Sequence, residues 1–203
     1  MSAQTGGQSG RPRDPAIRAK VLLAAQRVYA RSGIAGFTFE AIAREASVGK
    51  PAIYRRWASP SDLMDDVLGS HELVPAESER GNIRDELTEI ALRTLRLVLS
   101  EQGSFILRVS AERGTQPGLF DQYYERLRQH IHFQNRALVV AAIDRGELSQ
   151  SCDPDVLIQS VTGAVLVSAL MVFAADPETN AEEARRYCGR LVDQLIQGVL
   201  PET

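Results

Sequence analysis

Residues 38–57 read TFEAIAREASVGKPAIYRRW, and the fold turns on this stretch. Thr38 stands just before an apolar-periodic run, where its hydroxyl can accept an orphan backbone N–H at a helix start. Phe39, Ile42, Ala43 and Ala46 then share one helical face. Ser47-Val48-Gly49 breaks the run. Gly49 serves as the next N-cap, and Pro51 falls in a first turn, where its missing N–H costs nothing. Ile53 and Trp57 are four apart and point into the domain. Lys50, Ala52 and Arg56, with Tyr54 and Arg55 at the flanks, stay on the outward face. An apolar underside and a cationic outer face make a helix-turn-helix that can enter a major groove. A two-helix unit alone is weak evidence, because any solvated helical hairpin shares it.

Composition sets the surroundings. The chain has 203 residues, 44% of them hydrophobic, and a net charge of −3. That balance argues against an unspecific nucleic-acid binder. The charge is uneven, however. Residues 1–70 hold ten Lys/Arg against six Asp/Glu, and residues 71–203 hold thirteen against twenty. A basic head on an acidic body fits this split. Two cysteines, Cys152 and Cys188, make neither a disulfide framework nor a metal cluster and suit a reducing, cytoplasmic setting. The N-terminal MSAQTGGQSGRPRD has no apolar core and reads as no signal peptide.

Taken in order, residues 1–13 form a Gly/Ser/Gln-rich arm expected to be disordered. Arg11 and Arg13 in it are candidates for a phosphate or minor-groove contact, a solvated tail being the alternative. Residues 14–70 are expected to be the DNA-binding domain. Asp14-Pro15 starts its first helix, which buries Ile17, Val21, Leu22, Ala25, Val28 and Tyr29 and ends at Ser32-Gly33. Ser59-Pro60-Ser61-Asp62 caps a fourth helix running to about Gly69. Residues 71–203 form the second domain, entered through a polar connection over 70–82. Asn82 caps a fifth helix to about Ser100. Gln102-Gly103 is expected to break it, leaving a short sixth helix from Phe105 to Glu112. A long seventh helix runs from Leu119 to Arg145, with Gly146 past its end. Pro154 to Ala174 is apolar enough to raise a membrane span. Gln159, Ser160, Thr162 and Ser168 interrupt it and acidic residues flank it, so a helix buried on all sides is the reading instead. The last helix covers about Glu182 to Val199. No strand pattern appears, so the chain reads as all-α.

These features resemble the TetR family of bacterial transcriptional regulators. The resemblance rests on Gly33, Thr38, Ile42-Ala43, Ala46 through Tyr54, Arg56-Trp57, Ser59 and Leu63. It is dense over residues 15–70; beyond them only the helical layout and Asp144-Arg145-Gly146-Glu147-Leu148 match. Family members usually carry Gly where Ser47 stands, Ser where Gly49 stands, and often Lys where Pro60 stands. The resemblance implies about nine helices: a three-helix reading head, then a helical ligand-binding and dimerisation domain. It also implies that Thr38, Tyr54 and nearby backbone hold phosphates and that the fourth helix links head to body. Lys50 is a candidate for a phosphate or a guanine edge, and Arg55 and Arg56 for phosphate or bidentate guanine contacts. Pro51 and Ala52 are small enough to approach a thymine methyl. For Tyr54 the alternative is packing against the first helix, and for Arg55 a solvated charge.

The implied assembly is a homodimer through the last two helices of each subunit. Ser160, Gly163, Ala164, Val167, Met171, Tyr187, Leu191 and Leu195 are the candidate contacts. Such a dimer reads a palindromic operator on double-stranded DNA, with repression as the default and an unidentified small-molecule effector as the switch. Phe105, Arg108, Phe120, Tyr123, Tyr124, Leu127, His130, Ile131 and Gln134 are candidate pocket liners, with core packing as the alternative for each. His130 and His132 do not share a helix face and make a poor metal pair. No cofactor is implied. A regulator switched by a protein partner, or not switched at all, is the rival reading. An all-helical enzyme is more remote, because no phosphate loop, nucleophile elbow or metal-spaced set is present.

Overall fold

The computed structural model describes residues 15–70, 81–115, 118, 120–127, 129, 133–173 and 181–199. Every regular element among them is a helix. The chain divides into two compact units, Met1–Ser70 and His71–Thr203.

The first unit contains α1 (Pro15–Ser32), a 3-10 turn at Ile34–Gly36, α2 (Phe39–Ala46), α3 (Lys50–Tyr54) and α4 (Pro60–Ser70). Val21, Ala25 and Tyr29 of α1 are fully buried, as are Ile42, Ile53, Leu63, Met64 and Val67 from the three helices that follow. Full burial of each large side chain removes it from water at a gain of roughly 1.5–3 kcal/mol. Tyr29 and Phe37 meet edge to face at 6.0 Å, which closes α1 against the turn. Ser59 and Asp62 cap α4 reciprocally: the Ser59 N–H donates to the Asp62 carboxylate at 3.0 Å, and the Asp62 N–H donates to Ser59 Oγ at 3.1 Å.

The second unit contains α5 (Ile83–Leu99), α6 (Glu101–Glu112), α7 (Asp121–Leu127), α8 (Phe133–Asp144), α9 (Pro154–Met171) and α10 (Ala181–Ile196). A 3-10 turn, Gln197–Val199, closes α10. Leu87, Ile90, Ala91 and Leu95 of α5 form the core with Val139 and Ala142 of α8, Val161 and Val165 of α9, and Cys188 and Val192 of α10. Both cysteines are buried, and burial pushes their thiols up, so neither is a ready thiolate.

Two expectations need correction. The break after α5 lies at Ser100, whose side chain accepts from the Gly103 N–H, and not at Gln102-Gly103. Gly103 sits inside α6, where an added Cβ would fall 2.2 Å from the Leu97 carbonyl oxygen. Glycine is there to let two consecutive helices approach, not to end one. The stretch expected as a long seventh helix contains α7 and α8, and residues 128 and 130–132 between them lie outside the described residues. The apolar α9 is not buried on all sides. Its mean hydropathy of 1.5 passes the length and composition test for a membrane span, yet only 28% of it is buried. Leu157, Ile158, Val161, Val165 and Ala169 face the core, while Val156, Val167, Leu170 and Met171 are exposed.

The segment after α8 acquires a specific task. Gly146 takes φ 76°, which the chain reversal requires. The reversal brings the Glu147 carboxylate to the start of α5, where it accepts the Ile83 N–H at 2.7 Å. Arg145 Nε holds the other Glu147 oxygen at 2.5 Å, and Leu148 enters the core at 2% exposure. Glu147 thus caps a helix that begins 64 residues earlier.

The Arg145 hydrogen bond, and then the Ile83 N–H, hold the Glu147 carboxyl below the usual carboxylate range. A depressed folded pKa contributes stability that is complete above the unfolded value, about 4.3, and is lost as pH falls through the folded value. Glu147→Ala is expected to cost roughly 1–2 kcal/mol at neutral pH. Denaturant titrations at stepped pH should show the gap to wild type closing below about pH 4; a constant gap would remove the charged cap from the account.

Candidate nucleic-acid interface

The turn between α2 and α3 is built from local chemistry. The Thr38 side chain accepts the Ala41 N–H at 3.2 Å and caps α2. Ser47 ends α2 in the left-handed region at φ 53°, ψ 44°, and the Val48 N–H reaches back to the Ala43 carbonyl at 3.0 Å. Gly49 then caps α3 through its backbone alone, with Pro51 in the first turn.

α3 is short and owes its orientation to what it buries. Ile53 is fully buried and Trp57 is 5% exposed. The indole N–H of Trp57 donates to Asp66 Oδ2 on α4 at 3.0 Å. Arg18 of α1 grips the same carboxylate through Nε at 3.1 Å and through a second, short bond from Nη2 to Oδ1. One carboxylate therefore ties α1, α4 and the end of the reading helix together. Sequence reasoning missed this clamp. Arg18 reads as an outward charge and Asp66 lies 48 residues away, with no periodicity to join them.

On the outer side, Thr38, Lys50, Pro51, Tyr54 and Arg55 are exposed, and Ala52 and Arg56 are half-buried. Two candidates have partners within the head. The Tyr54 ring meets Phe39 of α2 edge to face at 4.9 Å and 89°, with 55% of the residue still exposed. Arg56 does not project freely, since its Nη1 donates to the Ala52 carbonyl at 3.1 Å. Lys50 Nζ donates to Glu40 Oε1 at 2.8 Å, a contact the spacing did not suggest. Pro60 is exposed at the start of α4. Arg11 and Arg13 lie outside the described residues.

The candidate ligand residues separate into groups. Phe105, Phe120 and Tyr123 are buried. Arg108 is matched on its own helix by Glu112 at 2.7 Å. Tyr124 donates to Ser110 Oγ at 2.6 Å, and the Arg113 guanidinium lies 4.2 Å above its ring. Gln134 is half-buried. Leu127 belongs to α7, but its side chain, like His130 and Ile131, lies outside the described residues. An open cleft of about 440 Å³ lies elsewhere, between α5 and α10. Arg84 grips Asp193 there with two bonds of 2.5 and 2.9 Å, and Arg185 meets Glu89 at 2.7 Å. Those pairs staple α10 to α5. Among the described residues no group of three or more His, Cys, Asp or Glu is placed to hold a metal.

The candidate contact residues of α9 and α10 also divide. Gly163, Val167 and Met171 are exposed, and Ser160 and Ala164 are intermediate. Tyr187, Leu191 and Leu195 pack in part against their own core, and the Tyr187 hydroxyl hydrogen-bonds Ser168.

Comparison with known proteins places these features in context. The family model described as bacterial regulatory proteins, tetR family, matches residues 21–67. That for the tetracyclin repressor-like C-terminal domain matches residues 77–194. The uncharacterized HTH-type transcriptional regulator YdeS of Bacillus subtilis is 27% identical over 94% of this chain and 93% of its own length. Among solved structures, a Clostridium perfringens protein provisionally assigned as a fatty acid metabolism regulator is 19% identical. It superposes with a TM-score of 0.71 over 90% of this chain and 100% of its own. The regulator FadR of B. subtilis, solved with stearoyl-CoA, is 15% identical with a TM-score of 0.65, covering 89% of this chain and 98% of its own. At these identities the structures speak for the fold alone.

The Ser47 backbone accounts for the glycine usual at that position. A left-handed conformation costs a residue with a Cβ about 1 kcal/mol relative to glycine. Ser47→Gly should raise thermal stability by about 2–4 °C. Thermal unfolding followed by circular dichroism checks this, and an unchanged or lowered midpoint would contradict the strain assigned to Ser47.

Proposed function

The chain belongs to the tetR family of bacterial regulatory proteins and is a helix-turn-helix transcriptional regulator; we propose that it acts as a homodimeric repressor released by a small-molecule effector. The observation that carries the DNA-binding part is the face of α3. Lys50, Pro51 and Tyr54 of α3 and Arg55 just past its end are exposed, while Ile53 beneath them and Trp57 beyond the helix are buried in the head. A buried underside with a cationic, small-residue outer face suits entry into a major groove with only side chains re-pairing. Thr38, Tyr54 and nearby backbone position the head on phosphates, while Lys50, Pro51, Ala52, Arg55 and Arg56 form the reading set. The Arg56 bond to the Ala52 carbonyl competes with any contact of that side chain to a base.

Dimerisation is supported by α9. Val156, Val167, Leu170 and Met171 are all exposed on one apolar helix, at 58%, 59%, 48% and 75%. Gly163 lies among them with open space where a Cβ would stand, which permits close helix approach. A contiguous exposed patch of this kind costs free energy in water and is covered by association. Two heads related by a two-fold axis require two related half-sites, hence an inverted repeat. The aromatic residues Phe105 of α6, Tyr123 and Tyr124 of α7 and Phe120 just before α7 mark the proposed effector region. It suits an apolar or amphipathic ligand, a class to which the stearoyl-CoA bound by B. subtilis FadR belongs. A cytoplasmic location follows from the proposed DNA target.

Val167→Asp with Met171→Asp should convert the dimer to monomers in the micromolar range by sedimentation equilibrium. Circular dichroism should show the helices retained, and operator binding should be lost. A variant that stays dimeric, or a wild type that is monomeric at the same concentration, would overturn the α9 interface.

A further inference from the structure

Glu40 and Lys50 face each other across the turn of the reading head. Glu40 lies in the first turn of α2 and Lys50 opens α3. Lys50 Nζ lies 2.8 Å from Glu40 Oε1, and the two side chains are 53% and 55% exposed. In each group the hydrogen bond is the main cause of a shift: the Glu40 carboxyl is held low and the Lys50 ammonium is raised. An exposed pair of this kind adds little to folding stability in water. Its consequence lies in the charge of the DNA-facing surface. Lys50 is the cation at the head of the reading helix, and Glu40 closes on it in the DNA-free protein.

We propose that Glu40 is an affinity-lowering residue of this interface, which withholds Lys50 from random DNA and releases it where the lysine gains more than the pair costs to open. The inference rests on the reading of α2 and α3 as the DNA-binding face. Non-specific binding is electrostatic, and each phosphate neutralised contributes about 0.9 to the slope of log affinity against log salt. A lysine held by a carboxylate contributes nothing to that slope until the pair opens. Opening the pair also leaves a bare carboxylate close to the duplex. Random DNA offers only phosphates in return. An operator that presents a guanine O6/N7 edge to Lys50, or fixes a phosphate there through its other contacts, offsets the cost. The carboxylate therefore lowers affinity at both kinds of site, at a random one by the lysine contact forgone and at the operator by the cost of opening the pair.

The test uses the full-length protein and a random-sequence duplex, with fluorescence anisotropy over a salt series. Glu40→Gln is expected to steepen the slope by about 0.9 and to tighten random-duplex binding roughly eightfold at 0.1 M salt. Lys50→Met in the wild-type background should change little, and in the Glu40→Gln background it should erase the gain. Arg55→Ala is the control and should flatten the slope in every background. If Glu40→Gln matches wild type while Arg55→Ala weakens binding, the role of Glu40 is overturned and the interface stands. An equal gain from Glu40→Gln with and without Lys50 overturns it too, since that is a general charge effect. If neither Glu40→Gln nor Arg55→Ala changes binding, the interface itself is misplaced and the role of Glu40 falls with it.

Discussion

The carboxylate of Asp66 accepts from the Trp57 indole at 3.0 Å and from Arg18 Nε at 3.1 Å, and DNA recognition depends on what that arrangement fixes. α3 spans only Lys50–Tyr54, far too short to persist alone. Its direction is set from outside, by the burial of Ile53 and Trp57 and by the point at which the indole is fastened. Hydrogen bonds to a charged group contribute roughly 1.5–3 kcal/mol when shielded, and less here because the Arg18 and Asp66 side chains are 51% and 30% exposed. The energy is modest, but the geometry is not easily replaced. Positioning contacts to phosphates and base contacts in a groove both require a reading helix held to within a fraction of an ångström.

The second unit follows a different logic. α5 is its central element, and its N-terminus is closed by two side chains. Asn82 accepts the Asp85 N–H at 3.0 Å, and Glu147 takes the Ile83 N–H. The ion pairs of Arg84 with Asp193 and Arg185 with Glu89 then fasten α10 along α5. These devices complete the core of one chain, yet α9 keeps an apolar face in water. Among the described residues the ion pairs close within one chain while the apolar face of α9 stays exposed, which supports the proposed dimer.

Much of this was legible in the sequence because the signals are local. Thr38, Gly49 and Asn82 each stand at a helix start and cap it. The spacing of Phe39, Ile42, Ala43 and Ala46 gave the buried face of α2. What escaped was tertiary. Gly103 reads as a breaker, and only the Leu97 carbonyl beside it shows that its role is close approach. Glu147 reads as a charge after a turn until Ile83 is placed against it. Arg18, Asp66 and Glu40 look like solvated charges in helical patterns. Each takes a partner that periodicity cannot supply. The hydropathy of α9 suggested burial on all sides, because composition does not distinguish a face covered by its own chain from one left exposed.

The most direct test is to incubate the purified protein with sheared DNA of the source genome, recover the bound fragments and sequence them. The account predicts enrichment of an inverted repeat. Its two half-sites should be related by a two-fold axis and spaced by whole turns of the duplex. Enrichment of isolated, unrepeated sites would contradict the dimer built on α9. No enrichment at moderate salt, with or without added effector candidates, would contradict the reading of α2 and α3 as the DNA-binding face.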